Sequence, residues 1–398
     1  MNVPVSSMLS TSPARNEFQD HLPLESPGSA VVAQASHTDR YTTSVTSSWS
    51  QAYEILAKAV DGRTAFVVAD TTVDALFGDK LCGALNRRSI AVQRFTMDAG
   101  ERYKSIGTAL KLIDWLVAAG MKRRDVIIAL GGGVVIDTVG WAASIFMRGV
   151  PYINVPTSLL AQVDAGLGGK VGVNHAEAKN LVGGFHQPQA VVSPIEALRT
   201  LPPRHVTNGL SEVLKKAVIA SPELFNLMEA QARELVDGDQ DLLLRIVYAA
   251  TQIKTTLIYR DPFEECLERP LNYGHTVGHA IETATSYGPL LHGECVAIGM
   301  AAAVELARHR GLLLPAVADR MLRVQQSLGL PLSMSDAGVE VSFDDVISAL
   351  EKILAVRGGK LRFVLPVDVG TVEIRNDVSK AEIDWLLTKI GATYKKPS

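Results

Sequence analysis

Three features of the chain predict an α/β fold in two parts, a parallel-sheet domain followed by a mostly α-helical one. Short β-branched runs alternate with amphipathic helical stretches from about Trp49 to Leu201, the pattern of successive βαβ units. One of these runs ends in Gly131-Gly132-Gly133, as a strand does where it passes directly into a nucleotide-binding helix. Beyond Pro203 the hydrophobic periods lengthen and become helical.

The first strand is Ala65–Ala69, ending at Asp70, and the second is Ile90–Phe95. The third, Val126–Leu130, runs into the glycines, and Tyr152–Val155 then leads to Pro156-Thr157. Together they predict a Rossmann-like domain over 49–203. Gly209–Ala220, Pro222–Leu235, Asp239–Tyr259, Gly293–Arg310 and Pro315–Leu328 are the helices of a second domain over 204–398. A late extended pair, Leu361–Leu365 and Thr371–Ile374, interrupts them. The cleft between two such domains is where an active site is expected. Residues 1–48, rich in Ser, Thr, Pro and Ala, read as a mobile extension without chemistry of its own.

Composition narrows the function. A net charge of −3 with no basic run excludes a nucleic-acid footprint. No apolar stretch approaches the roughly 18 residues of a membrane span, and the N-terminus lacks the form of a signal peptide. Cys82, Cys266 and Cys295 are far apart and odd in number, which argues against a disulfide framework and fits a reducing cytoplasm.

Four local patterns carry chemistry. The glycine triplet precedes Val134-Val135-Ile136-Asp137 and a helical run, which suits a pyrophosphate at a helix N-terminus, although a tight turn needing glycine geometry would look the same. Asp70 either accepts from a ribose hydroxyl or caps the next helix. The loop Asp164-Ala165-Gly166-Leu167-Gly168-Gly169-Lys170, with Asn174, Lys179 and Asn180 beyond it, offers cations and amides to a phosphorylated polar substrate. Finally, His275 and His279 lie four apart on one helical face and His292 follows a Tyr287-Gly288-Pro289 break, a grouping that suits Zn²⁺. Ordinary hydrogen-bonded histidines are the alternative. Glu212, three residues before Lys215 on a helix, is either half of a surface ion pair or a carboxylate ligand for that cluster.

With these pieces in order, the chain resembles the dehydroquinate synthase-like sugar phosphate cyclases. The likeness runs from about Val67 to Leu365 through GGGVVID, FMRG, VPTSLLAQVD, GGKVGVN, KNLVGGFHQP, LPPRHVTNGLSEVLK, NYGHTVGHAIE and LLHGE. The resemblance implies a homodimer that binds NAD⁺ and a divalent metal, usually Zn²⁺ with Co²⁺ as an alternative. It implies Glu212, His275 and His292 as metal ligands and assigns His279 to the substrate phosphate. Substrate contacts are implied for Asp164, Lys170, Asn180, Lys215, Lys254 and Asn272, and for Arg148 across the dimer interface. NAD⁺ contacts are implied for Asp70, Glu101, Lys104, Gly132, Gly133, Asp137, Thr157, Ser158 and Lys179. The implied reaction is a transient oxidation by NAD⁺, β-elimination of phosphate, return of the hydride, and an intramolecular aldol closure.

The departures bear on the substrate. Dehydroquinate synthases carry an arginine four residues before the asparagine of LN-x-GH, facing the substrate carboxylate. Here Glu268 stands there, with Arg269 one step later. A carboxylate would be repelled by Glu268, whereas a hydroxyl group would be accepted. Ala165-Gly166 replaces the usual Ser-Ser, which resembles the sedoheptulose 7-phosphate cyclases, while Gly278-His279-Ala280-Ile281-Glu282 keeps the dehydroquinate synthase form. This intermediate pattern best suits the 2-epi-valiolone branch, with 2-epi-5-epi-valiolone formation beside it. A 3-dehydroquinate synthase in which Arg269 takes over the missing role is the alternative. A metal-dependent polyol dehydrogenase would need the glycine turn and metal site but not the GGKVGVN and KNLVGG loops.

Overall fold

The computed structural model describes residues 40–175, 179–266, 268–356 and 359–393. Strands β1 (Thr42–Thr46), β2 (Ala65–Asp70), β3 (Val92–Met97), β4 (Val126–Gly131), β5 (Tyr152–Pro156) and β8 (Ala190–Pro194) form one sheet in the order β1-β8-β5-β4-β2-β3. Every pairing in it is parallel. β4 and β5 are buried along their whole length, which explains their near-continuous apolar sequences: helices cover both faces of the sheet. One face packs on Ala52, Leu56, Leu81 and Leu85, the other on Leu112, Leu116, Val135 and Val139.

The strand order reverses between β2 and β4, which are direct neighbours. In open α/β sheets the crevice beyond the carboxyl ends at such a reversal is the usual ligand seat. Asp70 ends β2 and Gly131 ends β4, so both candidate nucleotide elements open onto that crevice. β6 (Lys170–Val173) and β7 (Val182–Phe185) form a separate antiparallel ribbon, and β9 (Phe363–Asp368) pairs with β10 (Thr371–Arg375).

Five helices build the site: α1 (Gly133–Ile145), α2 (Pro203–Ala220), α3 (Gln240–Tyr259), α4 (His275–Ala284) and α5 (His292–His309). α2 is buried on nearly every side from Val206 to Ile219. A helix enclosed all round is a core helix, and its polar residues therefore point into the protein. α2, α4 and α5 approach closely because glycines stand at their contacts. A Cβ on Gly293 would fall 2.0 Å from the Asn208 carbonyl oxygen, and one on Gly299 would fall 1.9 Å from that of Gly274. The described residues fall in one compact unit, since the helical core also takes in Leu159, Val163, Ile195 and Leu198 from the sheet half.

The expected extension over 1–48 needs correction at its end. Thr42–Thr46 is an edge strand of the sheet, paired with β8, and the Tyr41 hydroxyl accepts a hydrogen bond from the Gly168 N–H at 3.2 Å. Its Thr-rich composition reflects one partly solvated edge, where polar residues are tolerated. Residues 1–39 lie outside the described residues. The second strand begins two residues later than expected, and the helix expected over Pro222–Leu235 divides at Gln231 into Pro222–Ala230 and Ala232–Val236.

Candidate active site

The glycine triplet does not serve turn geometry. None of Gly131, Gly132 and Gly133 has a positive φ. Gly131 is required by packing, since a Cβ there would meet Val135 at 2.6 Å. A Cβ at Gly132 would come no nearer than 3.4 Å, to Ser158 Oγ, and one at Gly133 no nearer than 3.5 Å, to Ala165 Cβ, so the protein itself leaves room there. α1 starts at Gly133 without a side-chain cap, which leaves its first N–H groups available to an anion. Thr157 and Ser158 border this turn; the Thr157 N–H donates to the Gly131 carbonyl at 3.0 Å, and Ser158 Oγ accepts from Ala161 N–H at 3.3 Å.

Asp70 is a helix cap. Its Oδ1 accepts from Thr72 N–H at 2.9 Å and Val73 N–H at 3.0 Å. Lys104 donates to Asp137 Oδ2 on α1 and to Asn180 Oδ1. Burial raises the Asp137 carboxyl above its ordinary value, with Lys104 opposing. Glu101 accepts from Asn174 Nδ2 at 2.8 Å, so this turn is tied to the loop after β6. Asp137, Lys170 and Asn180 line a cleft of about 310 Å³.

A second group of charges lies between β5 and the helices. Asp164 sits in a single π-helical turn, Ala161–Ala165, a device common at functional sites because it re-aims a side chain. Its Oδ1 accepts from Lys254 on α3 at 2.8 Å and from Lys216 on α2 at 3.3 Å, and its carbonyl oxygen accepts from Lys254 at 2.7 Å. Burial alone would raise the Asp164 carboxyl, but Lys254, Lys216 and Lys215 outweigh it and hold it well below the usual range. Burial pushes the Lys254 ammonium down to about 8, against the pull of Asp164. It lowers Lys215 as well, opposed by Glu212.

Glu212 joins these charges to the histidines. It is fully buried, and its Oε2 pairs with Lys215 and with Lys216 at 3.2 Å. The Glu212–Lys215 pair is thus interior and not a surface one. Oε1 has no hydrogen-bond partner, and lies 3.6 Å from His275 Nε2 and 3.8 Å from His292 Nε2. Each ring has its other nitrogen occupied: His275 Nδ1 meets the Tyr273 carbonyl at 3.0 Å and His292 Nδ1 meets Glu282 Oε2 at 3.2 Å. Backbone carbonyls and carboxylates behind imidazoles are the usual way to orient metal-ligating histidines. Burial pushes His275 well below its ordinary value. It also acts downward on His292, but Glu282 and Glu212 outweigh it and hold that ring above its ordinary value. Ligand atoms of His275, His279 and His292 all lie within 4.8 Å of one another, so the helical spacing did locate a real cluster.

Lys179 is paired with Glu282 at 3.2 Å and lies over the Tyr287 ring, which puts it behind His292. Lys170 pairs with Glu264. Arg269 is turned into its own loop, where it pairs with Glu264 and lies 3.8 Å from Asp261. Glu268 is exposed, and Asn272 closes the short turn Pro270–Asn272 just before α4. Arg148 is exposed and, like Met147, has a left-handed backbone, with φ of 63° and 48°.

Sequence reasoning missed Lys216, Glu282 and Glu264 as members of this constellation. Glu282 was within reach of a spacing argument, because His275, His279 and Glu282 fall at i, i+4 and i+7 on one helical face.

Residues 94–208 match the family model described as 3-dehydroquinate synthase N-terminal, and residues 209–352 match 3-dehydroquinate synthase C-terminal. A 2-epi-valiolone synthase of Actinosynnema mirum is 50% identical over 379 residues, 95% of this chain and 99% of that protein. A 3-dehydroquinate synthase of Symbiobacterium thermophilum is 40% identical over 324 residues, 81% of this chain and 89% of that protein. Among solved structures, ValA, a 2-epi-5-epi-valiolone synthase of Streptomyces hygroscopicus subsp. jinggangensis with NAD⁺ and Zn²⁺ bound, superposes with a TM-score of 0.85 at 33% identity, covering 90% of this chain and 99% of that one. These matches span both halves of the chain and the whole constellation described above, and the chain belongs to the 3-dehydroquinate synthase family.

Proposed function

We propose that this chain is a sugar phosphate cyclase that converts sedoheptulose 7-phosphate to a C7 cyclitol, 2-epi-valiolone, with release of phosphate. That would make it a carbon–oxygen lyase of secondary metabolism. The likeness to the Actinosynnema enzyme over nearly the full length of both chains supports the reaction class. One geometric observation carries the substrate choice: Arg269 is committed to Glu264 within its own loop. A substrate carboxylate would have to take Arg269 from Glu264 and lie beside the exposed Glu268. A hydroxymethyl group needs neither exchange.

Glu212, His275 and His292 are our assignment for the metal, Zn²⁺ or Co²⁺. The buried, unpartnered Oε1 of Glu212 supports it, since an orphaned carboxylate oxygen is costly unless a cation completes it. The roomy, uncapped glycine turn supports a nicotinamide dinucleotide with its pyrophosphate at Gly132-Gly133. When bound, NAD⁺ supplies a reversible hydride acceptor and the metal a Lewis acid.

The chain's own residues do the rest. Lys215 and Lys254, anchored by Glu212 and Asp164, present cationic donors to the reacting sugar. An ammonium near pH 8 can both hold and pass a proton. In this reading Lys170, Asn180, His279 and Asn272 bind the phosphate and ring hydroxyls, and holding a flexible chain in one pose is worth ~7–11 kcal/mol of the barrier to closure. Arg148 serves the partner's site in a homodimer; its strained, outward-facing turn, flanked by exposed Ile145 and Met147, supports that. All three cysteines are unpaired, which fits the cytoplasm.

The test is phosphate release, side by side, from sedoheptulose 7-phosphate and 3-deoxy-arabino-heptulosonate 7-phosphate. Turnover of the first to a C7 cyclitol is expected. Turnover confined to the second makes the chain a 3-dehydroquinate synthase, and NADH accumulation from a polyol without phosphate release makes it a dehydrogenase.

A further inference from the structure

Lys216 is fully buried, with no exposed surface. It stands next to Lys215 on α2, yet the two ammonium groups are used differently. An ammonium has three N–H donors and no acceptor. Lys216 Nζ meets three oxygens: Glu212 Oε2 at 3.2 Å, the Glu212 carbonyl at 3.1 Å and Asp164 Oδ1 at 3.3 Å. Every donor is matched by the protein. Lys254 directs two bonds at Asp164 and so keeps one donor, while Lys215 pairs with Glu212 Oε2. Donor arithmetic therefore separates a saturated lysine from two that retain donors for a ligand.

The position of Lys216 is equally specific. Its partners belong to two different parts of the site. Glu212 faces His275 and His292 through Oε1, while Asp164 comes from the π turn beyond β5. Lys216 holds Oε2 of the first and Oδ1 of the second. Fixing Oε2 fixes the rotation of the carboxylate and hence the direction of Oε1.

We infer that Lys216 is a positioning residue that never meets the substrate: it clamps Glu212 and Asp164 together so that Glu212 Oε1 faces the histidine pair while Asp164 faces Lys254. The inference rests on the reading of Glu212, His275 and His292 as metal ligands. It predicts that metal affinity and turnover depend on Lys216, while substrate affinity does not.

The experiment compares wild type, Lys216→Met and Lys216→Gln as metal-free proteins titrated with Zn²⁺ against a chromophoric chelator. Circular dichroism reports folding, and steady-state kinetics are taken at saturating metal. For a folded variant, Zn²⁺ affinity should fall about 10- to 100-fold, the usual loss when a residue supporting a ligand is removed. kcat should fall while KM stays within about twofold. Unchanged Zn²⁺ affinity and kcat would overturn the inference, as would a large rise in KM with metal affinity retained. A wild-type protein that binds no Zn²⁺ would instead refute the metal reading beneath it. Should neither variant fold, a crystal structure of the wild type with Zn²⁺ and sugar phosphate decides: Lys216 Nζ bonded to both carboxylates and out of reach of the sugar supports the clamp, and a direct bond to the substrate overturns it.

Discussion

Glu282 Oε2 lies 3.2 Å from His292 Nδ1, while Glu282 Oε1 lies 3.2 Å from Lys179 Nζ. One carboxylate thus orients a histidine and anchors a lysine from the loop beyond β6. Burial alone would raise the Glu282 carboxyl, but His292 and Lys179 outweigh it and keep it ionised far below its usual range. An ionised carboxylate behind an imidazole makes that ring a stronger ligand. Glu282→Gln should therefore weaken Zn²⁺ binding about 10- to 100-fold. Equilibrium dialysis of the metal-free variant checks this, and parent-like affinity would show that Glu282 is only a structural partner.

The Lys254–Asp164 pair gives a pH dependence with a defined sign. Lys254 titrates near 8 because of burial, and the charge of Asp164 holds it from going lower. If the ammonium is the working form, kcat/KM should fall above about pH 8. Removing the negative charge in Asp164→Asn lowers the lysine further, so the alkaline limb should move to lower pH in whatever activity remains. A limb that stays in place would detach Lys254 from the reaction. The same shift affects stability. Between about 8 and the ordinary 10.5 the unfolded lysine binds more protons than the folded one, so this group makes stability rise with pH across that window.

Substrate choice should respond to Glu264. Its carboxylate engages both Lys170 and Arg269, and its own backbone is left-handed, with φ of 55°. Glu264→Ala removes the carboxylate on Arg269 Nη1 and, although the Cys266 and Glu264 carbonyls still hold the rest of the guanidinium, frees that edge for a substrate carboxylate. A charge-assisted hydrogen bond is worth ~1.5–3 kcal/mol, so the ratio of kcat/KM values should move toward the heptulosonate by about tenfold or more. Competition between the two heptulose phosphates measures the ratio directly. An unchanged preference would place the discrimination elsewhere in the pocket.

Gly293 tests how the site is assembled. Its N–H donates to Asn208 Oδ1 at 2.6 Å, and a Cβ would fall on the Asn208 backbone. Backbone cannot yield as a flexible side chain does, so Gly293→Ala should cost about 3 kcal/mol and shift His292 away from Glu212. A lower melting temperature together with lost metal retention is the expected pair of results. Loss of stability with metal retained would mean that α5 adjusts as a unit.

Much of this arrangement was legible in the sequence because it is local. β4 is a continuous apolar run and β5 nearly one, the glycine triplet follows β4, and His275 with His279 share a helical face. What escaped notice depends on partners distant in the chain. β1 is a polar Thr-rich run that becomes a strand only by pairing with β8. Lys216 leaves no spacing signal because helical periodicity assumes one buried face, whereas α2 is enclosed on nearly all sides and both neighbouring lysines turn inward. The direction of Asp164 is set by a π turn, and that of Arg269 by Glu264; neither leaves a periodic signal.

The homodimer proposal can be decided by subunit mixing. In a two-fold dimer each site would combine its own His275 with the partner subunit's Arg148. Arg148→Ala and His275→Ala should each be inactive as homodimers. In the mixed dimer, one site lacks both groups while the other keeps both. Random reassortment of equal amounts makes half the dimers mixed, each with one working site of two, so about a quarter of wild-type activity should return. If Arg148 serves its own subunit's site, every site in the mixture lacks one group, and no activity returns. If the protein is a monomer, size-exclusion chromatography of the wild type shows it and mixing again restores nothing. The exposed, left-handed turn at Met147-Arg148 would then need a role other than reaching a neighbouring site.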